Sequence, residues 1–201
     1  MNDGLDAVIV KVLDWEPRAD EALIAAGLTG ARRVFDLYYG RARANLVTKA
    51  TGRELGDGWS AALHIAASVA PEEFLARLPS RVGTTEIVIL GDIDDPRATR
   101  ILCEQARHKD FLHRVNAVRA LAKHTGPASR EAVEQALADE DLVVRSAAIR
   151  CVADADADPS RGTTLYEAFL AEPRLTPLLR QEARWALSYL REGSPIPLHP
   201  W

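Results

Sequence analysis

Residues 139–154 read DEDLVVRSAAIRCVAD and residues 108–123 read HKDFLHRVNAVRALAK, and at a shift of 31 the two stretches follow one grammar. Asp110 aligns with Asp141, Arg114 with Arg145, Ala117 with Ala148, Val118 with Ile149 and Leu121 with Val152. Counted from each arginine, the apolar positions fall at i+3, i+4 and i+7, which is one face of an α-helix. A chain that repeats an amphipathic helix at a fixed period contains a unit that cannot bury its apolar face alone and must stack on its neighbours.

The same period runs through the prolines. Pro96, Pro127 and Pro159 stand 31 and 32 residues apart. Proline fits the first turn of a helix, where its missing N–H has no intrahelical partner, so each one predicts the start of a first helix. Counted from these prolines, Leu102, Val133 and Leu165, then Ala106, Leu137 and Phe169, share one expected inner face. A third second-helix, LLRQEARWALSYL, aligns through Arg180, Ala183, Ala186 and Leu187 at a shift of 35, with AEPRLTPL supplying the extra residues. Arg184 replaces the apolar residue found at Val118 and Ile149, as expected for a capping repeat with one face in water.

The alternation of TTEIVILGDIDDPRATRILCEQA with DEDLVVRSAAIRCVAD resembles HEAT-like repeat proteins, in particular the short bacterial type named after phycobilisome lyases. The resemblance covers about residues 84–190. It implies an all-α fold, a right-handed superhelix (alpha-alpha solenoid) of paired helices. That family includes scaffolds, adaptors, bilin lyases and DNA glycosylase relatives, and the resemblance carries no shared catalytic motif.

Upstream, PRADEALIAAG, ARRVFDLYYGRAR, GWSAALHIAASVA and PEEFLARLP have helical length and spacing and read as degenerate leading repeats. Phe35, Tyr38 and Tyr39, at i, i+3 and i+4, are expected to pack the N-terminal end. VTKATGRELGDG reads as a loop. The expected organisation is a single helical-repeat domain over residues 1–193, degenerate to residue 83 and regular from 84. The segment 194–201 follows as a proline-rich, polyproline-like tail.

Composition sets the class. The 201 residues are 47% hydrophobic, enough to bury a core. The formal net charge of -4, with no lysine- or arginine-rich run, argues against a general nucleic-acid binder. Cys103 and Cys151 sit in helical contexts, unlike the paired cysteines of a secreted scaffold. The N-terminal MNDGLDAVIVKVLDWEP lacks the basic region of a signal peptide, and no apolar run reaches membrane-spanning length. A cytoplasmic protein is expected.

Candidate chemistry is sparse. Asp110 and Asp141 are placed to cap second helices and to bridge Arg114 and Arg145, one turn on or in the next repeat. With Arg180 they form an expected structural ladder. DADADP (154–159) alternates carboxylates but lacks the glycine and glutamate of a calcium loop. His108, Asp110 and His113 have no second cluster with which to hold a metal. GRELGDGW lacks the GK[ST] of a phosphate loop. No catalytic residue, metal or cofactor is assigned.

The outward face of the second helices is the expected binding surface. If Ala117, Val118 and Leu121 point inward, then Asn116, Arg119 and Lys123 point outward, followed by Ala147, Arg150 and Asp154, then Glu182, Trp185 and Tyr189. Second helices usually line the concave side of such arrays. The expected partner-binding residues are therefore Asn116, Arg119, Lys123, Arg150, Trp185 and Tyr189. The expected function is noncatalytic binding of a protein or peptide. The alternatives are an alkylpurine-glycosylase-like DNA binder, using Arg119, Lys123 and Arg150 on phosphates and Trp185 or Tyr189 on a displaced base, and a bilin lyase-type chromophore binder. Oligomeric state is left open.

Overall fold

The computed structural model describes residues 3–40, 56–155 and 159–192. Among them the chain forms twelve α-helices and one 3₁₀ turn, with no strand. It divides into two compact units, Met1–Thr85 and Glu86–Trp201.

The first unit contains α1 (Asp3–Leu13), α2 (Ala19–Ala25), α3 (Gly27–Tyr39), α4 (Gly56–Val69) and α5 (Pro71–Arg77). The apolar stretch near the N-terminus is thus a helix, buried through Ile9, Val12 and Leu13. Phe35 is fully buried against Phe74, with ring centroids 6.1 Å apart. Tyr38 and Tyr39 are half-buried and meet edge-on, and Tyr38 also reaches the buried Trp59. On the rim Arg33 grips Asp6 through two 2.7 Å hydrogen bonds. Most of the expected loop lies outside the described residues, and its last residues, from Gly56, are already helical.

The second unit holds α6 (Thr84–Leu90, starting two residues before the boundary), α7 (Pro96–Gln105), α8 (Phe111–Leu121), α9 (Pro127–Gln135), a 3₁₀ turn (Ala136–Ala138), α10 (Leu142–Ala155), α11 (Pro159–Leu170) and α12 (Pro177–Glu192). The three prolines of the repeat open α7, α9 and α11. Cap chemistry explains several starts: side-chain oxygens satisfy backbone N–H groups that have no partner within the helix. Asp95 accepts from Arg97 N–H at 2.7 Å, Asp110 from Leu112 N–H at 2.9 Å and Asp141 from Val143 N–H at 2.8 Å. Ahead of Pro127, Gly126 adopts φ 141°, a conformation open essentially to glycine alone.

Helices α8, α10 and α12 pack on one another in succession, and α7, α9 and α11 each pack against the second helix that follows. The buried stripe is the expected one: Ala117, Val118 and Leu121, then Ala148, Ile149 and Val152, then Ala183, Ala186 and Leu187. Arg184 is exposed. The first helices depart in detail. Leu102, Val133, Leu137 and Phe169 are buried, but Ala106 and Leu165 are only half-buried. Tyr166 is the residue fully buried in α11, since its larger ring fills the space and its hydroxyl donates to the Ile149 carbonyl. His124 closes the first layer, bonding the Leu90 carbonyl through Nε2 and the Thr99 hydroxyl through Nδ1. No described helix is long and apolar enough to cross a membrane.

Candidate functional site

The repeated arginines set the register of the second helices. Arg114 is buried in the first turn of α8. Its Nε and one terminal nitrogen each donate to Asp139 at 2.8 Å, and its other terminal nitrogen donates to the His108 and Lys109 carbonyls. The Asp139 carboxylate raises the guanidinium's affinity for its proton. Arg145 donates to Glu172 at 2.7 Å and lies over the Phe169 ring, while Arg180 donates to the Leu170 and Glu172 carbonyls. The expected ladder is corrected here. Asp110 and Asp141 spend their carboxylates on helix caps, and the ion-pair partners of Arg114 and Arg145 are Asp139 and Glu172, in the following repeat. Each arginine side chain runs back toward its helix N-terminus, so it meets the inter-helix turns and not a neighbour on its own helix.

The outward stripe is more committed than its composition suggests. Asn116 donates its amide to the Leu112 carbonyl at 2.8 Å, Lys123 pairs with Asp92 at 2.7 Å and Arg150 with Glu182 at 3.3 Å. Two residues expected to face outward do not: Ala147 is buried, and Glu182 is only 2% exposed. The contact between α10 and α12 runs along this stripe, and Glu182 accepts from both Ser146 and Arg150 across it. Arg119 is exposed and has no ion-pair partner among the described residues. Trp185 is half-buried and Tyr189 is 37% exposed, and the expected proline-rich tail lies outside the described residues.

One turn upstream on the same stripe stand large apolar side chains facing water. Leu112, Val143 and Leu178 occupy equivalent positions in the three second helices, and all are exposed, as are their neighbours Phe111 and Leu142. Between these helices lies a groove of about 390 Å³ lined by Arg119, Leu142, Val143, Ser146, Ala147, Arg150 and Leu178.

The helix pairs, their period and their stacking are those of one repeat family, and a family model for HEAT repeats matches residues 84–153 and again 99–188. The chain belongs to the HEAT-repeat family. No curated protein and no solved structure matches it.

Of the residues expected to bind a partner, the HEAT repeats bring Arg119 and Arg150 into one groove. Asn116, Lys123, Trp185 and Tyr189 do not line it. Sequence reasoning missed Leu142, Val143 and Leu178. The available signal was apolar residues recurring just after each second-helix start, off the buried face.

Elsewhere in the HEAT unit the titratable groups serve the fold. The His108 and His113 rings stack at 4.1 Å. The ring nitrogen Nδ1 of His108 accepts from the Asp110 N–H, and that of His113 bonds Gln105. Stacked rings hold their nitrogens in parallel planes, not converging on one point. Among the described residues no three His, Cys, Asp or Glu side chains gather at a metal-binding distance. The expected DADADP reading falls largely outside the described residues. Burial pushes the Cys103 thiol up, against the opposing pull of Arg107, away from the thiolate a nucleophile needs.

Proposed function

We propose that the chain is a noncatalytic HEAT-repeat scaffold that binds a protein or peptide partner along the outward stripe of its second helices. One observation carries this reading: three successive second helices expose an aliphatic side chain at the same repeat position, and two of these, Val143 and Leu178, line a groove with the Arg119 guanidinium, which has no ion-pair partner among the described residues. HEAT repeats serve widely as interaction scaffolds, and exposed apolar patches on otherwise polar surfaces mark such sites. The sparse cysteine usage, Cys103 and Cys151, agrees with a cytoplasmic setting. The reading calls for no cofactor. A phosphate-tracking surface needs several uncommitted cations. Here Lys123 and Arg150 already face Asp92 and Glu182, which weighs against the glycosylase-like alternative.

The test is capture of a partner from the native cell, followed by reconstitution from purified components. The expected result is a defined complex of modest salt dependence and no duplex DNA binding at physiological salt. Tight DNA binding that falls steeply with salt, and that is lost when Arg119 and Arg150 are both changed to glutamate, would replace this reading.

A further inference from the structure

The repeat contains its own description of what the groove lacks. Arg119 and Arg150 are equivalent residues of α8 and α10, separated by the repeat shift of 31. Arg150 is answered by Glu182 on the next second helix, whose buried carboxylate also accepts from Ser146. At the shift of 35 between α10 and α12, the residue equivalent to Glu182 is Ala147. Ala147 lines the groove beside Arg119. Where one repeat step holds a guanidinium and a carboxylate, the preceding step holds a guanidinium and a methyl group. The space left is bordered by the exposed Leu142, Val143 and Leu178.

We propose that this groove takes a partner segment carrying an aspartate or glutamate beside aliphatic side chains, its carboxylate meeting Arg119 as Glu182 meets Arg150. This rests on the scaffold reading and adds the partner's chemistry. The charges nearby agree: of the two charged residues that line the groove, Arg150 is balanced by Glu182 and Arg119 has no ion-pair partner among the described residues. A planar guanidinium pairs well with a carboxylate, and the aliphatic rim supplies the apolar contact that anchors recognition. A basic segment would meet the same Arg119 and be repelled.

The experiment is selection from a phage-displayed library of short random peptides on the full chain, with affinities then measured by fluorescence anisotropy. Selected peptides should join an acidic residue to aliphatic ones. Arg119→Gln and Val143→Asp, both at exposed positions, should each weaken binding about tenfold or more. Replacing the peptide's acid by its amide should weaken binding to the wild type but not to Arg119→Gln. Ala147→Glu should install the missing carboxylate and abolish binding; if that variant fails to fold, the two exposed variants decide. No enriched peptide, or peptides indifferent to Arg119 and Val143, would overturn the proposal. So would binding of a short duplex DNA that depends on Arg119. A native partner that still binds Arg119→Gln would sink the groove and leave the scaffold reading standing, whereas absence of any reconstituted partner would sink that reading itself.

Discussion

Arg114 grips Asp139 with two parallel hydrogen bonds of 2.8 Å, joining the second helix of one HEAT repeat to the turn of the next. Its remaining donors hold the carbonyls of His108 and Lys109, and Asp139 also accepts the Asp141 N–H at 2.8 Å. Both charges are almost out of water, so either one left alone would be an uncompensated buried ion.

Arg114→Ala is therefore expected to cost about 3 kcal/mol of unfolding free energy. Arg145→Ala should cost about 1 kcal/mol, because Glu172 is 42% exposed and stays hydrated when its partner goes. Urea denaturation followed by circular dichroism measures both. Equal losses would show that the two arginines do the same work despite their different burial.

Gly91 marks a close approach between α6 and α8. A methyl group there would stand 2.9 Å from the Cβ and 3.0 Å from the Cα of Ala120. Gly91→Ala should destabilise by about 1–3 kcal/mol, and adding Ala120→Gly should restore part of that loss. A thermal melt of the double variant no higher than that of the single one would rule out this contact as the cause.

Asp95 titrates in a useful range. The Arg97 side chain, then its backbone N–H, hold the Asp95 carboxyl at about 2, below the ordinary aspartate value near 3.9. A folded-state value below the unfolded one means that this cap's contribution is present above about pH 4 and lost as pH falls toward 2. Carboxyl carbon NMR should show Asp95 titrating near 2, below the ordinary aspartate range. Asp95→Asn keeps an acceptor at the cap and should flatten the acid limb of α7 stability.

Cys103, with its thiol raised by burial, should react slowly with iodoacetamide at neutral pH, and Cys151, buried in α10, more slowly still. Mass spectrometry of the labelled native and urea-unfolded protein reads this directly. Rapid labelling of Cys103 in the folded state would point to an activated thiol in place of a structural one.

The sequence by itself determined the repeat. Asp110 and Asp141, Arg114 and Arg145, and the small and aliphatic residues after them encode helix starts and buried faces through contacts within a few residues, and such local rules read the same in any chain. For that reason the buried stripe and the helix starts at Pro96, Pro127 and Pro159 were legible. The partners of Arg114 and Arg145 were not, since Asp139 and Glu172 are brought close only when one repeat stacks on the next. The surface divides likewise. Arg119, Arg150 and Glu182 share one helical face on paper, but packing of α10 on α12 buries Glu182 and commits Arg150 to it. With Ala147 at the preceding step, Arg119 lines the groove with Val143 and Leu178 and finds no ion-pair partner among the described residues. Periodicity says which way a side chain points from its own helix; the neighbouring helix decides whether it meets water, a partner charge or a groove.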